Sequence, residues 1–283
     1  MAGESPQEVA VDPALQERDE RARFYRQARA HTPIVAVDHE GVRFLVSTAD
    51  RDLGLRLFAK RRRRDAKTLR RALARLHAHG LDDAARAGAF LDVGANIGTA
   101  CLVALVTAGF RRAIALEPEP NNFALLRANA ALNFLDDRLE PFQLAAAGSA
   151  GVIELALSKR SSGSHRAREV SSGSKATIEV EAVTLDGLLD RVGIGPEDVG
   201  LVWIDVNGFD SQVLAGAERL LAARVPVVVE VSGEPAPLPP LIHSYSRVAD
   251  LRTKHPDLPA KTINDFIGRL RREGIETDLL LLP

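Results

Sequence analysis

The chemistry in this chain is densest at Phe90-Leu91-Asp92-Val93-Gly94-Ala95-Asn96-Ile97-Gly98. An apolar run ends in an acid, two glycines flank a small residue and an Asn, and a helix-compatible stretch follows. Such a segment brings a parallel strand to a tight turn. The helix behind it presents free N–H groups to a ligand. Glu117 closes the next apolar run, Ala113-Ile114-Ala115-Leu116. Its distance from the turn is the one at which a strand–helix–strand nucleotide fold places an acid on a ribose.

Two nucleotide cofactors compete for that pattern. A dinucleotide asks for G-x-G-x-x-G, with its pyrophosphate on the helix N-terminus. Here Asn96 replaces the middle glycine and Asp92 precedes the first. A carboxylate there repels pyrophosphate but suits the ammonium and sulfonium charges of S-adenosylmethionine. The plain alternative is a βαβ unit whose glycines only pack, and the spacing of Glu117 argues against it. The pattern places Asp92 by the methionine portion, with Val93, Gly94, Ala95, Asn96 and Gly98 forming the turn. Glu117 would accept from both ribose hydroxyls. Pro118 and Ala146, in the strand end Ala145–Ala147, would flank the adenine.

Asp92-Val93-Gly94-Ala95-Asn96-Ile97-Gly98 resembles the first motif of the FkbM family of S-adenosylmethionine-dependent methyltransferases. Glu117-Pro118-Glu119-Pro120-Asn121, with Leu126, Asn129 and Asn133 behind it, resembles the next. Thr184-Leu185-Asp186, Ile204-Asp205-Val206-Asn207-Gly208-Phe209-Asp210 and Val213-Leu214-Ala215-Gly216-Ala217 resemble later motifs, and Val227 to Val231 the strand after them. The likeness runs in order from about Phe44 to Ser232. Two positions depart from it: Asn207 and Asp210 stand where the family usually has Glu. The resemblance implies a Rossmann-like class I methyltransferase fold. It also implies O-methylation of a hydroxyl on a sugar, polyketide or similar small molecule or glycan.

The elements that must hold these residues read as follows. With 283 residues, 46% hydrophobic and 27% charged, the chain suits one large α/β domain with extensions. Its net charge of -1 excludes a globally basic nucleic-acid binder. Cys101 is the only cysteine, so there is no intrachain disulfide, and a reducing, cytoplasmic setting is expected. No run suggests a signal peptide or a membrane span. Homodimerisation stays open. Residues 1–30 read as a charged arm, frayed or disordered, and 31–83 as a helical, basic extension. The methyltransferase domain covers 84–283.

Within that domain strands are expected at 90–93, 113–117, 141–147, 201–206 and 226–231, with helices at 99–108, 121–132, 185–192 and 211–222. Asn121 is the expected cap of the second helix. Residues 151–157 and 177–183 suggest edge strands around a Ser/Gly/Arg-rich mobile loop at 158–176, whose sharper reading is a lid over substrate. A fold of this kind ends in an antiparallel hairpin, but only Leu279–Leu282 reads clearly as a strand for it.

Asp205 ends the fourth strand, where an acceptor is expected, and is the candidate general base. Glu230 should lie on the neighbouring strand and tune it by like-charge proximity. A divalent ion on Asp205, Glu230 and the Asn207 amide oxygen is the less favoured alternative. His165, His243 and Tyr245 are weaker candidates, each with an ordinary surface reading. Two other functions remain in view. One is RNA binding or RNA methylation through the basic stretch Lys60–Arg75, although no aromatic there offers base stacking and a solvated basic face is the simpler reading. The other is a catalytically silent cofactor-binding protein, suggested by Asn207.

Overall fold

The computed structural model describes residues 13–61, 64–157, 166–168, 177–231, 238–253 and 256–283. Helix α1 (Pro13–Ala28) precedes a hairpin of β1 (Ile34–His39) and β2 (Val42–Ser47). Helix α2 (Leu53–Leu55) runs into a π-helical turn, Arg56–Lys60, followed by α3 (Arg64–Ala78) and α4 (Asp82–Ala87). The nucleotide-fold core alternates β3 (Ala89–Val93), α5 (Cys101–Val106), β4 (Ala113–Leu116), α6 (Pro120–Leu132) and β5 (Leu139–Phe142). A small second sheet holds β6 (Ala145–Ala146), β7 (Gly151–Ala156), β8 (Arg166–Arg168) and β9 (Thr177–Val183). Then come α7 (Leu185–Val192), β10 (Val199–Ile204), α8 (Asp210–Ala215), α9 (Glu218–Ala222) and β11 (Val227–Val231). The chain closes with β12 (Arg247–Asp250), β13 (Leu258–Pro259), α10 (Ile263–Arg272) and β14 (Thr277–Leu282).

The central sheet has the order β13-β12-β14-β11-β10-β3-β4-β5. Strands β11, β10, β3, β4 and β5 are parallel, while β14 runs antiparallel between β11 and β12. Strands β3, β4, β10, β11 and β14 are buried along their whole length, because helices cover both faces. Two apolar clusters result. The face of α3 and α5 carries Leu69, Leu76, Phe90, Leu102, Phe110 and Trp203, and the other carries Leu91, Ile114, Leu189, Val202, Leu214 and Ile267.

Several expectations are corrected. The arm is no frayed helix over its described part: α1 buries Tyr25 to 2% exposure, and the Tyr25 hydroxyl donates to the Asp50 carbonyl at 2.9 Å. Phe24 stacks on Phe58 of the π-helical turn, centroids 5.7 Å apart. Residues 1–12 lie outside the described residues. The expected strand 141–147 is two strands in two sheets, β5 and β6. Helix 211–222 breaks into α8 and α9 at Gly216, whose missing Cβ would meet the Ala147 carbonyl at 2.3 Å. Close approach to that strand end is worth more here than helix continuity. The cap of α6 is Glu119, which accepts from Asn122 N at 2.7 Å, with Pro120 at the first helical position. The missing hairpin partner is β12, too short and too polar at both ends to show periodicity. Apart from Arg166–Arg168, which pair with β7, the 158–176 loop lies outside the described residues. Among the described residues no helix is long and apolar enough to cross a membrane.

Candidate active site

The site grows from three adjacent strand ends. Register pairs Val93 of β3 with Ile204 of β10, and Ile204 with Val229 of β11. Asp205 N donates to the Val93 carbonyl at 3.0 Å, so Asp205 lies beside the glycine turn on one side and Glu230 on the other. Gly94 has φ +84, and a Cβ there would meet the Asp205 carbonyl at 2.3 Å. At Gly98, φ +95, a Cβ would press on Leu102 and Leu126. The missing side chains let protein groups pack against the turn, and Gly94 itself borders the cavity over the strand ends.

Glu117 fixes the turn. One carboxylate oxygen accepts from Asn96 N at 2.8 Å, the other from Glu119 N at 2.9 Å and from Asn122 Nδ2 at 3.4 Å. Asn96 sits at φ +53, a conformation Asn tolerates better than most residues, and its buried Oδ1 has no hydrogen-bond partner. Burial pushes the Glu117 carboxyl up to about 7, against the pull of its three donors. Asp92 has another task. Its carboxylate accepts from Cys101 N at 2.9 Å at the start of α5, and burial raises it to about 7.

A cavity of about 980 Å³ opens over these strand ends. Of the residues expected from sequence, Gly94, Asn96, Glu117, Pro118, Ala146 and Asp205 line it, while Asp92, Val93, Ala95 and Gly98 lie behind its wall. Leu116, Leu144, Leu155 and Phe209 give its inner half an apolar lining beside Glu117. The outer half is built by the N-terminal extension, which sequence reasoning left out of the site: Leu53, Arg56, Lys60, Arg61, Arg64, Asp65 and Lys67 face the same space.

Carboxyl groups crowd the floor between the halves. The Asp205 carboxyl is hydrogen-bonded to Glu230, and burial, Glu230 and Asp65 push it well above the usual range while Arg64 opposes them. Asp65 is likewise raised by burial, although Thr99 and Arg64 pull it down. Glu230 is clasped by Arg64 and by Arg252, the latter at 2.6 Å. Arg252 also binds both oxygens of Asp278, at 2.7 and 2.8 Å. With Glu230 held by two guanidiniums, Asp205, Glu230 and Asn207 make a poor cation site. No group of three or more His, Cys, Asp or Glu is arranged for a metal among the described residues.

Asn207 lines the cavity at φ +48, where a longer side chain such as Glu is disfavoured. Asp210 secures this loop by accepting from Val206 N at 3.4 Å and Gly208 N at 3.2 Å. Tyr245 and His243 stand outside the cavity lining, and the buried Tyr245 hydroxyl donates to the Val225 carbonyl at 2.5 Å. His165 lies outside the described residues. The basic stretch is not a plainly solvated face. Arg64 holds Glu230, Arg70 pairs with Glu40 at 3.1 Å, Arg71 donates to the Leu251 carbonyl at 2.6 Å, and Arg75 pairs with Asp257 at 3.4 Å.

Residues 92–252, more than half of the chain, match the family model of the methyltransferase FkbM domain. The chain belongs to this methyltransferase family. An FkbM methyltransferase structure from Methylobacillus flagellatus KT is 15% identical with a TM-score of 0.39, covering 69% of this chain and 44% of that one. The chain thus spans less than half the length of that protein. Pyrococcus horikoshii TYW2, solved in complex with MeSAdo, is 12% identical with a TM-score of 0.46, over 96% of this chain and 84% of that one. StiE O-MT, residues 961–1257, is 12% identical with a TM-score of 0.38, over 82% and 76%. No curated protein matches the chain. The parallel sheet, its flanking helices and the antiparallel β14 make the FkbM domain an α/β class I methyltransferase fold.

Proposed function

We propose that this FkbM-family chain is an S-adenosylmethionine-dependent O-methyltransferase acting on a hydroxyl of a small molecule or glycan. The observation that carries the reading is a single cavity shared by Glu117 at one end and the Asp205–Glu230 carboxyl pair further along. The inner half suits the cofactor. Glu117 is a two-oxygen acceptor for ribose hydroxyls. Leu116, Pro118, Leu144 and Ala146 offer an apolar bed for adenine, and the unpartnered Asn96 Oδ1 needs a donor. When bound, S-adenosylmethionine supplies an electrophilic methyl group on a sulfonium centre.

The chain's own residues position the acceptor and manage its proton. In its ionised form Asp205 takes the hydroxyl proton, and Glu230, fixed by Arg64 and Arg252, then accepts a hydrogen bond from the protonated Asp205 carboxyl. A carboxyl raised well above its usual range is a stronger base than an ordinary aspartate and so better matched to a hydroxyl. Leu53 and Leu57 of the extension help exclude water.

The test supplies S-adenosylmethionine labelled in the methyl group together with hydroxyl-bearing acceptors. Label should appear in an alkali-stable methyl ether, and Asp205→Asn should suppress it while S-adenosylhomocysteine still binds. Label on nitrogen, or no binding of S-adenosylhomocysteine to the parent, would overturn the assignment.

A further inference from the structure

Among the described residues six cations line the outer half of the cavity, and acids of the protein account for three of them. Arg56 pairs with Asp52 at 3.1 Å, Arg70 with Glu40 at 3.1 Å, and Arg64 with Glu230. Lys60, Arg61 and Lys67 have no acid partner among the described residues, and the acids of that wall that make no ion pair there are Asp65 and Glu276. Lys60 ends the π-helical turn, Arg61 follows at φ +44, and Lys67 lies one turn into α3 on the face of Arg64. A left-handed arginine costs on the order of 1 kcal/mol, so a rarely used conformation is held where the residue reaches the cavity. Three neighbouring positive charges in a concave, partly apolar wall repel one another, and the same shape concentrates their field on an anion.

We propose that the acceptor carries an anionic group, phosphate or carboxylate, which Lys60, Arg61 and Lys67 bind at the outer end of the cavity while the hydroxyl to be methylated faces Asp205. The proposal rests on the methyl-transfer reading above and adds the class of acceptor. Arg61 can present a two-pronged donor to either anion, and the two lysines add point charges. S-adenosylmethionine has a single carboxylate, which leaves most of this charge unmatched. A nucleic-acid track fits less well. It needs cations spread along an open surface, whereas Arg70, Arg71 and Arg75, further along α3, already have partners in the protein.

The experiment is calorimetry on the full chain, with and without S-adenosylhomocysteine, using inorganic pyrophosphate, citrate and neutral mannitol as probes at fixed ionic strength. One or both anions should bind saturably where mannitol does not, and the stronger of the two identifies phosphate or carboxylate. In a Lys60→Gln/Arg61→Gln/Lys67→Gln variant that binding should weaken at least about tenfold, the loss of roughly 1.4 kcal/mol, with S-adenosylhomocysteine affinity unchanged. If the triple variant fails to fold, Lys67→Gln alone should weaken the anion severalfold. Equal binding of pyrophosphate, citrate and mannitol, or anion binding that survives the substitutions, overturns the proposal. So does a parallel loss of S-adenosylhomocysteine affinity, which would give the cations to the cofactor, or displacement of pyrophosphate by a folded RNA at lower concentration than by either small anion. A parent that binds pyrophosphate but not S-adenosylhomocysteine would instead sink the methyl-transfer reading and leave the anion site standing.

Discussion

Cofactor affinity should depend steeply on pH near neutrality, through Glu117. The ribose hydroxyls donate, so they need an ionised carboxylate, and burial raises this carboxyl from an ordinary 4.5 to about 7. With a pKa of about 7, roughly nine-tenths of the protein is ionised at Glu117 at pH 8 and roughly one-tenth at pH 6. Binding that selects the ionised form therefore weakens about tenfold between those values, or about 1.4 kcal/mol. The assay is calorimetric titration with S-adenosylhomocysteine at half-unit steps from pH 5.5 to 8.5. Glu117→Gln is the control: it should bind more weakly at pH 8, by roughly 1–3 kcal/mol, and lose most of the pH dependence. An affinity that is flat from pH 6 to 8 in the parent, or a slope that persists in Glu117→Gln, would refute the reasoning.

Other outcomes follow from the same geometry. Asp92, Glu117 and Asp210 all have carboxyls raised to about 7, above their unfolded values; their stabilising contribution is full below about pH 4 and is lost as pH rises through 7. Thermal unfolding of the ligand-free protein should accordingly show a melting temperature that falls between pH 5 and pH 7.5, and a rise over that range would contradict it. Asp205→Asn should lower turnover at saturating cofactor by at least about a hundredfold, and in the parent turnover should climb with pH as the raised Asp205 carboxyl ionises. Turnover should withstand a chelator, because Glu230 is committed to Arg64 and Arg252; chelator-sensitive activity would restore the metal alternative. Gly94→Ala should cost on the order of 1–3 kcal/mol in urea unfolding, since the added methyl meets the Asp205 carbonyl at a φ of +84, and unchanged stability would mean the strand ends can separate.

What the sequence reveals of this fold follows from where its signals are local. The runs that became β3, β4, β10 and β11 are short and apolar apart from Asp92 and Glu230 because both faces of the sheet are covered, and glycines or acids mark their ends. Glu117 and Asp205 stand out because each closes such a run. The failures are equally physical. Strand β12 is made by its partner β14 and by Asp250, which accepts from Thr277 Oγ1 at 2.5 Å and Thr253 Oγ1 at 2.7 Å, contacts that leave no periodicity in Arg247–Asp250. Helix α1 has a weak apolar stripe, and Tyr25 holds it by reaching into the space beside Gly54, where a Cβ would come within 2.1 Å of the hydroxyl.

The most consequential gap is the N-terminal extension, and it alters how the site works. Read along the chain, Lys60–Arg64 is a charge run, which ordinarily faces water. In the fold, Arg64 crosses to the carboxyl end of β11, 166 residues further on, and binds Glu230, while Thr68 one turn later donates to Asp278 at 3.1 Å. The extension is thus tied to the strand end where burial, and next Glu230, raise the Asp205 carboxyl. Moving α3 away would withdraw Arg64 from Glu230 and Asp205 and remove the outer wall of the cavity at the same time. Acceptor binding and base strength are therefore coupled through one guanidinium. A substitution such as Arg64→Gln should move the pH profile of turnover to higher pH as well as weaken acceptor binding, because the cation that opposes protonation of Asp205 is gone. A purely structural Arg64 would lower activity without shifting that profile.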